Sequence, residues 1–578
     1  MPKRWEIFEP CPDAFVEALA AHHPILSQLL WHRGMRTIEE AEQFLHPSFE
    51  DHIHDPFLFS HMEEAVARIL RALESGERIL IFGDYDADGL TGSAVIISTL
   101  RDIHAAMSNA APLLLRSFVP HREKEGYGLQ MAQAEQFVEE GTDLVITVDC
   151  GICCVDEIAR LRAADIDVVV VDHHQFGETL PNGILIHPSI PGEIYPFKHL
   201  AAVGVAWKLS CALVMRARER GIPIPEGYEK WLLDLVSIAT VTDIVPLTGE
   251  NRVLETYGLK VLNKTKRPGL RSLIAISGLT PGTINARDIG FAIGPRLNAP
   301  SRMEHAAIGL ELLLEPSQER ADDLAREIEE MNRRRQDTTK VMMKEAEELL
   351  ENFAPDERLY VFWREDWSPA LAGLVAGRMA DRFGMPVIAI GKHGNQWIGS
   401  GRSFSYYNVT EGVRRAGQNI LTRSGGHVQA CGFALARDED VPRFAQQLRD
   451  DARMNIADGL TGPFLDIHAE LSLQEIGEGV LSVLDLLEPY GATNPQPLFL
   501  VRNVEVMNST TVGKDGGHLR IVGRSPQGDM RTFIAFGMGT RVLEAANGSH
   551  LDIVFALSRS EWNGRADIQC KVIDFRKV

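Results

Sequence analysis

At 578 residues the chain is too long for one hydrophobic core, and several domains are expected. Hydrophobic residues at 45% and charged residues at 24% give the balance of a water-soluble globular protein, and no apolar stretch reaches membrane-spanning length. A net charge of −21 argues against a basic surface throughout but leaves room for a local basic groove, and seven irregularly spaced cysteines argue against a disulfide framework.

The opening residues Met1-Pro2-Lys3-Arg4-Trp5-Glu6 lack the apolar core of a signal peptide, so the reducing cytoplasm is the expected compartment. Residues 1–55 are punctuated by His and Pro, show no clean period and read as an N-terminal lead-in. From 56 to 310, short apolar runs alternate with helical patterns. Residues 78–82, 144–148 and 168–171 are nearly continuous apolar runs, as in strands buried on both faces of a parallel sheet. Segments 91–103, 154–164 and 201–218 carry the helical period, and the alternation predicts a doubly wound α/β domain.

Four motifs end apolar runs in this region. They are Gly83-Asp84-Tyr85-Asp86-Ala87-Asp88-Gly89, Val148-Asp149-Cys150-Gly151, Asp172-His173-His174 and Val241-Thr242-Asp243. Charge removed from water needs a partner or a metal, and carboxylate with imidazole ligates hard or borderline divalent ions. Few cationic residues stand beside these motifs, so a metal-dependent enzyme is predicted. Ligands of doubly wound sheets bind beyond the carboxyl ends of the strands, and the motifs are expected at such strand ends, gathered into one site.

Each motif alone has a duller reading. Asp84, Asp86, Asp88 and Gly89 fit the first half of an EF-hand loop, but position 12 is Val95 rather than glutamate, and an apolar strand stands where the entering helix belongs. Asp172-His173-His174 alone suits a polar turn with a capping histidine, and Asp149 or Asp243 alone a satisfied polar residue. Their joint occurrence favours the metal. Cys150, Cys153 and Cys154 lack a second cysteine pair to complete a zinc site and are read as packing residues.

Residues 317–352 contain neither Gly nor Pro and interleave acids with bases at helical spacing, which predicts a long connecting helix. A second α/β unit follows, with strands at 360–362 and 387–390. Gly399-Ser400-Gly401-Arg402-Ser403, Gly425-Gly426-His427 and the arginines of segment 295–302 combine open backbone with cations, a pattern suited to phosphate. After about residue 463 the pattern changes to short strands at 504–506, 519–522, 532–535, 553–556 and 568–572. Turn signals at Gly516-Gly517 and Asn563-Gly564 separate them, and five such strands predict a small barrel, commonly an OB-fold. Two basic clusters, Lys260, Lys264, Lys266, Arg267 and Arg271, and then Arg414, Arg415 and Arg423, are read as solvated surface charge.

Taken in order, these motifs resemble the DHH phosphoesterase superfamily, and over nearly the whole chain its bacterial single-strand-specific exonucleases. The resemblance implies two α/β domains, DHH and DHH-associated, joined by a long helix and followed by a C-terminal OB-fold β-barrel. The limits expected are 1–55 for the lead-in, 56–310 for the DHH domain, 311–355 for the helix, 356–455 for the DHH-associated domain and 460–578 for the barrel. By position, Asp84, Asp86, Asp88, Asp149, His173 and Asp243 would hold two Mn²⁺ or Mg²⁺ ions, with Asp149 bridging, and His174 would steady the scissile phosphate or its attacking water. Arg122, Ser400 and Arg402 would take a 5′-terminal phosphate, and Arg296, Asn298, Arg302 and His427 the DNA backbone.

The implied activity is hydrolysis of single-stranded DNA from a free 5′ end to nucleotides, in recombination and repair, by a monomer without a membrane. A single-strand-binding protein and a helicase are the implied partners. Two ions about 3.5–4 Å apart would activate water for in-line attack on phosphorus. Three departures stand out: Phe82 where several members have His, so that one ligand is either missing or replaced by Asp84; Pro300-Ser301 where Ala-Gly is usual; and Trp367-Ser368 for Trp-His. Two rivals remain. A small-molecule phosphatase has no use for an OB-like barrel, and a non-catalytic replication scaffold would have lost the ligands this chain keeps.

Overall fold

The branched apolar runs form the centre of a five-stranded parallel sheet. Its order is Leu114–Phe118, Arg78–Gly83, Leu144–Val148, Asp167–Val171 and Ile184–Ile186. Side chains alternate between its two faces, as the strand period requires. Ile79 and Ile81 join a core with the helices Ala87–Ala106 and Ala202–Glu219, while Leu80 and Phe82 join another with Phe137, Ile158 and Leu161 from Met131–Glu139 and Val155–Arg162. Both faces are therefore covered, and every residue of Leu144–Val148 is buried.

This is a computed structural model that describes residues 3–20, 22–108, 110–354, 356–562 and 565–578. The chain divides into two compact units, one of residues 42–336 with 489–495, the other of 1–41, 337–488 and 496–578. The parallel sheet lies in the first. Inside that unit Lys208 and Glu250, both with fully buried side chains, form an ion pair. Glu250 also accepts from the Tyr195 hydroxyl at 2.6 Å and the His54 N–H at 3.0 Å, and Lys208 donates to the His54 carbonyl. The helix Gln318–Leu349 ends in a short 3₁₀ turn and carries the expected spaced ion pairs, such as Arg333 with Glu329 at 3.1 Å.

The second unit contains a mixed sheet and a barrel. The sheet runs Leu421–Gly426, Ala430–Leu435, Gln396–Arg402, Val387–His393 and Tyr360–Trp363, with only the last pair parallel. The barrel orders Phe499–Val512, His518–Arg524, Met530–Ala535, Arg565–Lys577 and His550–Trp562, and closes by pairing the last strand with the first. All five segments read as strands lie within these. The turn at Asn563-Gly564 lies outside the described residues.

The N-terminal residues depart from a featureless lead-in. Arg4–Ile7 pairs in parallel with Phe464–Ile467, and Trp5 donates its indole N–H to Asp574 of the barrel at 2.9 Å. Short helices follow, including Pro24–His32, which buries Ile25, Leu26, Leu29 and Leu30. Nine residues hold too few turns for a period to stand out in a window of about 11–18. Among the described residues no helix is long and apolar enough to cross a membrane.

Candidate metal centre

The strands Arg78–Gly83 and Leu144–Val148 are neighbours, yet the chain leaves them toward opposite edges of the sheet, one to Leu114–Phe118 and the other to Asp167–Val171. Such a divergence opens a crevice at the carboxyl ends of the two strands. Asp84 and Asp149 follow those ends directly. Their backbone N–H groups continue the sheet, Asp84 donating to the Val148 carbonyl at 3.1 Å and Asp149 to the Val171 carbonyl at 2.9 Å.

Local chemistry then sets each side chain. Asp86 caps the helix Ala87–Ala106, its Oδ1 accepting from Asp88 N–H at 2.9 Å and Gly89 N–H at 3.3 Å. Only glycine fits at 89, because a Cβ there would sit 2.4 Å from the Asp84 carbonyl oxygen. Asp88 is buried and accepts from Ala202 and Val203 N–H, each at 2.8 Å, so it joins the starts of two helices. Asp149 has φ +63°, an uncommon value for a residue with a side chain, and Gly151 at φ +111° completes the turn. Strain of this kind gathers where a side chain must be aimed.

Asp243 departs from the expected strand end. It caps the C-terminus of the helix Leu233–Thr242. A ten-residue apolar run suits a buried helix as well as a strand, and length favours the helix.

All seven residues proposed for chemistry converge. Asp84, Asp86 and Asp149 form one group, Asp88, His173 and Asp243 a second, and Asp149, His173 and His174 a third, with ligand atoms in each group within 4.8 Å of one another. His173 Nε2 lies 3.4 Å from Asp149 Oδ1, 3.5 Å from Asp243 Oδ2 and 3.7 Å from Asp88 Oδ2. Adjacent ligands around one ion at ~2.1 Å stand roughly 3.0–3.4 Å apart, so this spacing is a slightly open first shell. The donor set also fits: Asp84 Oδ1 and Asp149 Oδ1 are buried without a hydrogen-bond donor among the described residues.

The charges point the same way. Burial first, then neighbouring acids, pushes the carboxyls of Asp84, Asp149 and Asp243 well above the usual range, and Asp88 up to about 7. Asp172 behaves oppositely. Burial disfavours its charge, but His174 and backbone N–H groups outweigh that and hold its carboxyl at about 2. It accepts from Ile152 N–H at 3.1 Å, His173 N–H at 2.7 Å and His174 Nδ1 at 2.9 Å. Against its own burial, His174 is thereby held up at about 9. Asp172 was absent from the sequence-derived site, although it sits within its own motif, and Tyr127 was absent too. The Tyr127 hydroxyl lies 3.1 Å from the Asp149 carbonyl and 3.0 Å from His174 Nδ1.

These shifts give a first test. Folding favours the neutral carboxyls, so the metal-free cluster contributes most at low pH and loses stability as pH rises from 3.8 through about 7. Metal and protons compete for the same oxygens. The gain in melting temperature from saturating Mn²⁺ should be several degrees larger near pH 8 than near pH 5.5, and equal gains would remove these carboxylates from the metal site.

The remaining predicted residues divide between the two units, with Arg122, Arg296, Asn298 and Arg302 in the unit of the acidic cluster. The Arg122 guanidinium lies 5.0 Å from the Tyr85 ring, and its charge favours the Asp84 carboxylate; the Arg302 charge likewise reaches Tyr85. Arg296 is committed to Glu329 at 2.7 Å and the Ala292 carbonyl at 2.8 Å. Asn298 accepts from Ala87 N–H at 2.8 Å and so pins the first acidic loop. Ser400, Arg402 and His427 belong to the other unit. Ser400 and Arg402 lie beside Gly373, whose missing side chain makes room for them, and His427 is exposed at the Gly426 turn. Phe82 points into a core, stacked on Phe118. Of the three cysteines read as packing residues, Cys150 is buried and Cys154 half-buried, whereas Cys153 is exposed, its thiol donating to the Gln175 carbonyl at 3.3 Å.

Known proteins agree with this architecture. The model of the DHH family N-terminal domain matches residues 78–240, that of the DHHA1 domain 356–453 and that of the RecJ OB domain 467–574. The single-stranded-DNA-specific exonuclease RecJ of Bacillus subtilis is 35% identical over 99% of this chain and 70% of its own length. The protein of the same name from Dickeya dadantii is 32% identical over 96% of this chain and 97% of its own. The crystal structure of RecJ in complex with Mn²⁺ from Thermus thermophilus covers 100% of this chain and 80% of that one, with a TM-score of 0.82 and 29% identity. A Mg²⁺ complex of RecJ from the same organism gives a TM-score of 0.75. Full-length identity above 30% and three matched domains in the same order place this chain in the RecJ family.

Proposed function

We propose that the protein is a metal-dependent exonuclease that degrades single-stranded DNA from the 5′ end to nucleotides, in recombination and repair. The observation that carries this is the convergence of Asp84, Asp86, Asp88, Asp149, Asp243 and two histidines at one crevice, in a chain that also bears a closed OB barrel. Its relatives are named as single-stranded-DNA-specific exonucleases, and RecJ structures contain Mn²⁺ or Mg²⁺. Asp84, Asp86, Asp88, Asp149, His173 and Asp243 would hold two such ions. When bound, the ions supply Lewis acidity and lower the pKa of water.

The chain's own residues supply orientation. Asp172 fixes the His174 ring through Nδ1, which leaves Nε2–H as the donor for a phosphate oxygen. Asn298 and the Ala202 and Val203 N–H groups hold the acidic loop and Asp88 at fixed positions. Excess carboxylate without bound cation would repel a phosphodiester, so turnover depends on the metal. The barrel fits a role in gripping the strand by stacking and phosphate contacts. A single-strand-binding protein and a helicase, which would deliver strands with free 5′ ends to a cytoplasmic monomer, complete the reading.

The 5′ polarity rests on Ser400 and Arg402 as terminal-phosphate contacts. Arg402→Ala should reduce the preference for 5′-phosphate over 5′-hydroxyl strands by about tenfold, the loss of one charge-assisted contact. Competition between the two substrates measures it. Undiminished preference would remove Arg402 from the phosphate pocket.

A further inference from the structure

The first basic cluster of the sequence, Lys260 to Arg271, is not used by the metal centre. Part of it borders a separate cavity of about 250 Å³ in the same unit. Ser98, Arg101 and Asp102 line one side, from the far end of the helix that Asp86 caps. From the cap to Arg101 that helix rises about 22 Å at ~1.5 Å per residue, so the cavity is distinct from the crevice. Tyr228, Trp231, Leu232, Arg267 and Leu314 line the rest.

Each wall offers a different kind of contact. Trp231 is 46% exposed, a large aromatic surface left to solvent. The Lys266 ammonium lies 4.4 Å from the centre of its ring. Arg101 makes no hydrogen bond or ion pair with a described residue, whereas Arg267 is anchored by Asp234 at 3.2 Å and Ser98 at 3.3 Å. Asp102 accepts the Tyr228 hydroxyl at 2.8 Å through Oδ2, which leaves its Oδ1 as an acceptor at the exposed rim.

An aromatic face, a carboxylate acceptor and an unspent cation, Arg101, are the three contacts that a nucleotide's base plane, amino edge and phosphate require. The volume lies just below the ~300–1,000 Å³ typical of sites for larger ligands, enough for one such unit but not a chain of them. We infer that this cavity is a second nucleotide site, with the base against Trp231, its amino group on Asp102 and its phosphate on Arg101. The occupant is a free mononucleotide or one nucleotide of a bound strand. Bases with an exocyclic amino group bind in preference to thymine, which has none to offer Asp102.

Equilibrium binding of deoxynucleoside monophosphates to the full chain, in EDTA so that the metal centre is silent, tests this. The parent should bind dCMP or dAMP several-fold more tightly than dTMP. Trp231→Ala and Arg101→Ala should each weaken binding by on the order of tenfold, as expected for loss of a base stack or a phosphate contact. Asp102→Ala should level the difference between dCMP and dTMP. All three positions are exposed, and unchanged melting temperatures would show that the variants fold. If affinity for a single-stranded oligonucleotide falls along with that for the mononucleotide, the occupant is part of the strand; if only the mononucleotide is lost, it is the free species. Both results sustain the site. Mononucleotide affinity equal in parent and variants, or no saturable binding up to roughly 10 mM, would overturn it.

Discussion

Asp149→Ala is expected to lower the rate of single-strand cleavage by on the order of 10³-fold or more, while single-strand affinity stays within a few-fold of the parent. Asp149 belongs to two of the three ligand groups, one with Asp84 and Asp86, the other with His173 and His174. Its left-handed backbone and the following Gly151 turn set the direction of this carboxylate. Strand affinity draws mainly on phosphate contacts elsewhere, which the substitution leaves in place. Rate in Mn²⁺ and binding in EDTA, on the same oligonucleotide, separate the two. A variant that keeps a substantial fraction of the metal-dependent rate would take Asp149 out of the centre.

Lys208→Met should carry the largest stability loss in the unit that holds the metal centre, about 3–5 kcal/mol, with a melting temperature lower by roughly 10 °C. The substitution keeps the volume but leaves the Glu250 carboxylate buried with only neutral donors, Tyr195 and His54. The double variant Lys208→Met, Glu250→Gln removes the stranded charge and should recover most of the loss. Thermal melting of the three proteins decides it. A Lys208→Met chain as stable as the parent would mean that Glu250 finds compensation without Lys208.

How far the fold could be read from the sequence depended on periodicity. The runs at 78–82 and 144–148 read as buried strands because both faces of that sheet are covered, and the barrel strands stand out as short segments between turn signals. The sequence pattern predicts the helix after the first acidic motif from 91, whereas it begins at Ala87. Gly89 and Gly92 hide its first turn, and Gly89 is there for the close approach of Asp84 rather than for helix formation. The convergence of Asp84, Asp88, Asp149, His173 and Asp243 followed from their positions at element ends, even though Asp243 ends a helix.

Pairing across the chain was not legible. Lys208 with Glu250, Arg296 with Glu329 and Asn298 with Ala87 join residues distant in sequence, and no local pattern marks them. For Arg296 and Asn298 the consequence is chemical, since part of their hydrogen-bonding capacity already serves the protein. Asp172 is the reverse case. It stood in plain view beside His173, but only the structure shows that it accepts from three residues rather than facing the other acids.

The most direct test of the account is digestion of one oligonucleotide, labelled at its 5′ end or its 3′ end, offered single-stranded or as a blunt duplex, with Mn²⁺ or with EDTA. Labelled mononucleotide should appear first from the 5′-labelled single strand, with little digestion of the duplex and none in EDTA. Digestion that persists in EDTA, proceeds as fast on the duplex, or begins at the 3′ label would contradict it.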